Sequence, residues 1–251
     1  MAQGRASTLG TPADPQQGQG WSARRLNHLG TALGASSYLE VGVFAGSTFN
    51  AVKIPQRTGV DPRFQFDIEA AADDRTVLKM MTSDEFFAEL SIGETFDVIY
   101  LDGLHTLEQT YRDLCNSLIH SHQRTVILID DTKPTDVYSA LPDYERAIRH
   151  RKAAGGDDLA WHGDTFKVVF VIHDFHLALN YRTIVGSGNA QTLVWRSADW
   201  WRAPRFDSLE AIARLTYFDV VDEEPVMRCC SEDDAISACL TELGSQSPSG
   251  V

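Results

Sequence analysis

Positive charge is scarce in this chain of 251 residues: 22 lysines and arginines stand against 35 aspartates and glutamates, a formal net charge of −13. Gripping a phosphate backbone or an anionic membrane needs a basic face, and little here supplies one, so nucleic acid and membrane surfaces are excluded as partners. Long apolar runs are also missing. No stretch approaches the ~18 apolar residues of a membrane-spanning helix, and the first residues lack the charged, apolar and small-residue order of a secretory signal. Cysteine is rare: Cys115, Cys229, Cys230 and Cys239 show no CxxC spacing, which argues against a zinc knuckle or a disulfide framework. Reduced thiols and a cytoplasmic setting are expected. A GxGxxG fingerprint is absent as well, which counts against a nicotinamide-dependent oxidoreductase.

With 43% hydrophobic residues, the chain is long enough to bury a core without metal or disulfide staples. Residues 1–20 carry Gly, Pro, Gln, Ser and Thr with almost no large apolar side chain, and 244–251 read the same way, so both are expected as disordered tails. Between them 21–200 reads as one α/β domain and 201–243 as a C-terminal helical extension. Leu26, Leu29 and Leu33 share a helix face that Gly34 ends, and short runs rich in Val, Ile and Leu follow at 37–42, 57–61, 76–82, 96–102 and 125–131. Helical stretches alternate with them: 46–53, 83–91 with Ser83 as cap, and 106–120. Such alternation predicts parallel strands covered on both faces, an open doubly wound sheet. Residues 163–175 are read as a helix despite their β-branched content, and 180–186 with 190–196 as an antiparallel hairpin. Helices are expected at 208–215 and 231–243, joined by a loop.

After the first strand the chain runs Glu40-Val-Gly42-Val-Phe-Ala-Gly46-Ser47, with Phe44 where a dinucleotide site carries its second glycine. This spacing points to a turn that leaves room for an uncharged or zwitterionic ligand. Asp61 ends the second strand about twenty residues on, where α/β nucleotide folds hydrogen-bond ribose hydroxyls. The fourth strand ends in Asp102-Gly-Leu-His105 and the fifth in Asp130-Asp131. Neighbouring strand ends lie ~5 Å apart, so these carboxylates would converge, and repulsion among them calls for a cation. Oxygen ligands select a hard ion such as Mg²⁺. His105, one short turn beyond Asp102, titrates near neutral pH and suits a general base.

On YLEVGVFAGSTF, GVDP, FDVIYLDGLHTLEQTYRDL and VILIDD the chain resembles class I S-adenosylmethionine-dependent methyltransferases, over about residues 36–196. More narrowly it is similar to the small-molecule, metal-dependent O-methyltransferase branch whose fourth strand ends in a DGxH-type motif. The resemblance implies a seven-stranded Rossmann-like sheet with an antiparallel edge hairpin. Glu40, Gly42, Gly46 and Ser47 would surround the methionine moiety of the cofactor, Asp61 would take the ribose, and Ser83 and Asp84 the adenine. Asp102, Asp130 and Asp131 are implied as ligands of Mg²⁺ or another divalent cation, with Asp102 also beside the cofactor and catalytic together with His105. Where relatives carry DGD with the second Asp as base, this chain has Leu104. The aromatic stretches 161–164 and 195–201 fall where this fold builds its acceptor pocket, for a sugar or natural-product hydroxyl. His162, His173 and His176 lack ligand spacing and read as solvated or core side chains. Besides the oxidoreductase, a cofactor-binding scaffold without activity is the competing reading, and a homo-oligomer is left open.

Overall fold

Five consecutive strands of the sheet run parallel, the inner ones rich in apolar residues on both faces, and helices cover each side. In the computed structural model, which describes residues 20–197 and 202–245, the elements run in a regular alternation. Helix α1 (Trp21–Leu33) leads into β1 (Ser37–Val41), followed by β2 (Gln56–Val60), α2 (Ile68–Ala71), β3 (Thr76–Lys79), α3 (Ser83–Glu89), β4 (Phe96–Leu101), α4 (Leu107–Ile119) and β5 (Ser121–Ile129). Then come α5 (Tyr144–Ala153), α6 (Lys167–Phe175), β6 (Leu179–Ile184), β7 (Gln191–Arg196), α7 (Leu209–Ala213), α8 (Tyr217–Asp222), α9 (Glu224–Met227), β8 (Cys229–Cys230) and α10 (Glu232–Ser245). Their order across the sheet is β3-β2-β1-β4-β5-β7-β6-β8. Only β7 runs against its neighbours, β5 and β6, so the predicted hairpin forms, with β7 inserted inside the sheet. This is the expected Rossmann-like architecture with an eighth strand, the two-residue β8 parallel to β6.

Several local expectations are corrected. The stretch 46–53 is not an α-helix; only a 3-10 turn, Phe49–Ala51, forms. Gly42, Phe44 and Gly46 all have positive φ, and a chain that turns left-handed three times in five residues cannot wind directly into a right-handed helix. Thr82, not Ser83, caps α3, in a capping box with Glu85. Helix α6 starts at Lys167, and its first six residues are all buried, which accounts for a run that reads equally well as a strand. The supposed loop at 217–226 contains α8 and α9, the first opened by a Thr216–Asp219 capping box and the second by Pro225.

Two cores lie on opposite faces of the sheet. On one, α1 and α10 pack Leu26, Leu29, Ala235, Ile236, Cys239 and Leu243 against Tyr38, Val98 and Leu193. On the other, α4 and the buried run of α6 cover Leu39, Ile99 and Ile127. The C-terminal residues, expected as an extension, thus supply a strand to the sheet and a helix to the first core. Arg25 is fully buried between them. Its guanidinium donates to Glu232 Oε2 (3.0 Å), Gln191 Oε1 (2.6 Å), the Asn189 carbonyl (3.1 Å) and Ser187 Oγ (3.0 Å), tying α1 to α10 and the β6–β7 turn. Among the described residues no helix is long and apolar enough to cross a membrane. The predicted tails at 1–20 and 244–251 lie outside the described residues except Gly20, Gly244 and Ser245.

Candidate active site

Register alone lines up the site. Val41 is opposite Val60 and Leu101, and Leu101 is opposite Ile129, so Gly42, Asp61, Asp102 and Asp130 leave the sheet along one edge. The ladder runs one residue further, with Asp102 N on Val41 O (2.8 Å), Asp130 N on Leu101 O (3.0 Å) and Gly42 N on Val60 O (2.9 Å).

Gly42 is required here. At φ 89° its Cβ would lie 1.9 Å from the Asp102 carbonyl oxygen, so any side chain would force the glycine loop off the fourth strand. The loop is held by Asp61, whose Oδ2 accepts from Phe44 N (2.8 Å) and Oδ1 from Arg63 N (2.6 Å). A carboxylate oxygen has two lone pairs, so each retains one for a ligand. Gly46 is buried against Asn50 and the Phe66 ring, and Ser47 is exposed on the loop. Glu40, by contrast, is buried within β1 and accepts from Tyr38 Oη (2.5 Å). Burial raises its pKa well above the ordinary carboxylate range against the Tyr38 hydrogen bond, with the charges of Asp102, Asp130 and Asp61 adding to the rise. Ser83 is buried and Asp84 exposed, and both are tied to α4: Gln109 Nε2 donates to Ser83 Oγ (3.1 Å), and Arg112 Nη1 to Asp84 Oδ2 (2.6 Å).

The carboxylates converge, with a change in membership. Asp102, His105 and Asp131 each bring one potential ligand atom within 4.8 Å of the others. Asp130, predicted as a ligand together with Asp102 and Asp131, is not in this group. Its Oδ2 accepts from the buried Tyr100 hydroxyl (2.5 Å) and its Oδ1 from Asp131 N (2.8 Å). His105 instead lies between two carboxylates, with Nε2 3.3 Å from Asp102 Oδ1 and Nδ1 3.1 Å from Asp131 Oδ2, the second contact lacking hydrogen-bond alignment. Asp131 has φ 55°, a left-handed backbone that presents its side chain to the cluster, and its Oδ1 accepts from Asn189 Nδ2 (3.0 Å).

The electrostatics follow from this crowding. Burial, then the charge of Asp130, raises Asp102 to about 6. The same two causes push Asp131 up to about 8, against the pull of His105. For His105, burial opposes the imidazolium, but the Asp102 hydrogen bond and the charges of Asp131, Asp102 and Asp130 outweigh it and raise its pKa.

Segment 161–164 clamps His105. The Trp161 ring stacks on the imidazole with centroids 5.0 Å apart, and is itself held by its Nε1–H to Leu141 O (2.7 Å). Gly163 has φ 60°, and a Cβ there would lie 1.7 Å from His105 O. Asp164 Oδ1 accepts from Leu107 N at the start of α4 (2.8 Å). His162, read from its spacing as a solvated or core side chain, is buried, with Nε2 3.8 Å from Asp131 Oδ1. His173 pairs with Asp174, and His176 lies 3.2 Å from the Tyr111 hydroxyl; neither is among the cluster residues. Trp195 is core: it is 1% exposed and donates to Glu242 Oε2 (2.8 Å). The rest of the predicted aromatic stretch, 198–201, lies outside the described residues. Tyr100 escaped sequence reasoning, although its place two residues before Asp102 on the same strand face was the available signal.

Residues 18–132 match the family model described as a methyltransferase domain. Among solved structures, cofactor-bound Rv0187 from MTB is 16% identical, over 76% of this chain and 83% of that one, with a TM-score of 0.49. The O-methyltransferase TomG from Streptomyces achromogenes, involved in tomaymycin synthesis and solved with SAM, is 14% identical over 69% and 78%, with a TM-score of 0.44. An O-methyltransferase from Bacillus cereus, solved with SAH, is 15% identical over 72% and 80%, with a TM-score of 0.42. No curated protein matches the sequence. With these TM-scores all below 0.5, the topology stands on the chain's own strand pairing.

Proposed function

We propose that this chain, whose residues 18–132 match a methyltransferase domain model, transfers the methyl group of S-adenosylmethionine to a hydroxyl of a small molecule, a sugar or natural-product acceptor, in the cytoplasm. One observation carries this reading: His105 stands between Asp102 and Asp131 at the strand end against which the Gly42 loop is packed. The cofactor would supply an electrophilic methyl on a sulfonium, and the Gly42–Ser47 loop with Asp61 would hold it, Asp61 through the lone pairs its backbone donors leave free. Ser83 and Asp84 would border its adenine. Glu40, buried behind Tyr38, would act by charge beneath the loop.

The protein then has to orient the acceptor, take its proton and exclude water. His105 would accept the hydroxyl proton as the oxygen attacks the methyl carbon, and the S–CH3 bonding pair would return to sulfur. Asp102 would stabilise the imidazolium so formed, while Trp161 and Gly163 would fix the ring. A divalent cation fits this donor set, because two crowded carboxylates with raised pKa values lie beside an imidazole. Asp102 and Asp131 would hold it, and it would acidify the acceptor hydroxyl.

Titration calorimetry with S-adenosylhomocysteine and with NAD, each with and without Mg²⁺, tests the reading. Binding of S-adenosylhomocysteine is expected; binding of NAD alone would overturn it in favour of an oxidoreductase. His105→Ala and Asp102→Ala should abolish transfer while leaving cofactor affinity largely intact. Activity that survives both Asp102→Ala and EDTA would refute cation assistance. Asp61→Ala should weaken cofactor binding by ~1–3 kcal/mol, the scale of buried polar pairs.

A further inference from the structure

Helix α5 concentrates the charge that the rest of the chain lacks. Four of the 22 lysines and arginines, Arg146, Arg149, Arg151 and Lys152, fall within seven residues, and no acidic residue stands between 146 and 156. Arg151 is buried and paired with Asp136. Arg146, Arg149 and Lys152 are exposed, and among the described residues none of the three forms an ion pair. Arg146 and His150 rim a groove of about 430 Å³ whose floor is apolar, made by Val137, Leu141, Ala153 and Ala154. The groove shares Leu141 with the clamp on His105: the Leu141 carbonyl accepts from Trp161, and Tyr144, which opens α5, meets the Trp161 ring edge on at 5.6 Å.

Helix α8 has the complementary character. Phe218 and Val221, three residues apart, are 63% and 57% exposed, and Asp222 follows one turn beyond Phe218 on the same face. Asp222 and Glu224 are exposed, and Asp219 and Glu223 half-buried, so negative charge borders the apolar pair. Single exposed apolar side chains are ordinary. A pair at this spacing is how a helix enters an apolar groove, through anchors at i and i+3. The groove and α8 lie side by side: Lys133, Pro134 and Thr135 face α8 across a cavity, and Val137, two residues on, lines the α5 groove. A face that carries both a patch and its complement can meet a second copy of itself about a two-fold axis, each contact being made twice.

We propose that a second copy of this chain fills the groove: α8 of each copy lays Phe218 and Val221 on Val137 and Leu141 of the other, with Asp222 against Arg146, in a two-fold dimer. The partner's helix then braces the outer side of the clamp that holds His105. The dimer does not depend on the methyl-transfer reading. Sedimentation velocity of the full chain, at concentrations up to ~100 μM, should show a species of twice the chain's mass. Arg146→Glu and Asp222→Arg, each alone, put like charges face to face at both contacts and should weaken the dimer at least ~100-fold. Phe218→Ala removes an anchor without touching charge and should weaken it ~10-fold. Mixing the two charge variants in equal amounts should restore dimers, because one contact of the mixed pair is wild type and the other has both charges reversed. The proposal is overturned if the wild type sediments as a monomer throughout, if the variants dimerise as the wild type does, or if the mixture stays monomeric.

Discussion

At the scale of single residues, Asp131 is where function works against stability. The folded chain keeps it protonated up to about pH 8, whereas an unfolded chain releases that proton near pH ~4. Between those values the unfolded state binds fewer protons, so ionising Asp131 erodes stability as pH rises through the window. Asp131→Asn removes the charge, keeps an acceptor for Asn189 and tolerates the left-handed backbone. Its Tm should match wild type near pH 4 and exceed it by on the order of 3–6 °C at pH 8, measured by calorimetry across pH. The Asp102 hydrogen bond raises the pKa of His105, so the rising limb of kcat/KM should lie above the ordinary histidine value of about 6.5. Sequence could place Asp102, Asp130 and Asp131 on one sheet edge, since strand ends follow from apolar runs. It could not show that Tyr100 turns Asp130 away and leaves His105 to take its place, because that depends on side-chain direction across two strands.

At the scale of elements, the clamp made by 161–164 is the part least legible in advance. It reaches His105 across more than fifty residues, and its decisive members are a glycine and an aspartate that carry no periodic signal. Gly163→Ala should move the His105 backbone, since its Cβ meets a carbonyl oxygen and its φ is left-handed. A displacement of ~1 Å at a reacting group costs roughly 100-fold in rate. Steady-state kinetics should therefore show kcat reduced on that order while calorimetric affinity for S-adenosylhomocysteine, bound by a different loop, changes little. The central strands were legible for the converse reason: runs such as VILI and DVIYL have nowhere to go but a sheet covered on both faces. Helix α6 and the pair α8 and α9 were harder, the first because full burial erases its periodicity, the second because each spans under two turns.

At the scale of the whole molecule, Arg25 joins the first helix, the hairpin turn and the last helix through side chains more than a hundred and sixty residues apart. Removing a partner from a buried charged network leaves groups desolvated and unpaired, at a cost of ~3–5 kcal/mol. Arg25→Met should lower the denaturation midpoint in urea accordingly, and it should also loosen the β6–β7 turn that carries Asn189. Lysine would not substitute, because one ammonium cannot address Glu232, Gln191 and Ser187 in the planar arrangement that a guanidinium provides. The net charge of −13 has a partial location here too: Asp61, Asp102, Asp130 and Asp131 share one edge of the sheet, with Glu40 behind it.

The sheet's two outer strands have a consequence for how copies of this chain meet. One border is β3, four residues long and ending in Lys79; the other is β8, with two residues. Unpaired backbone along a sheet border is a template for another strand, and shortness and lysine are two ways in which proteins blunt it. Neither described border offers a long ladder, so self-association through strand addition is disfavoured.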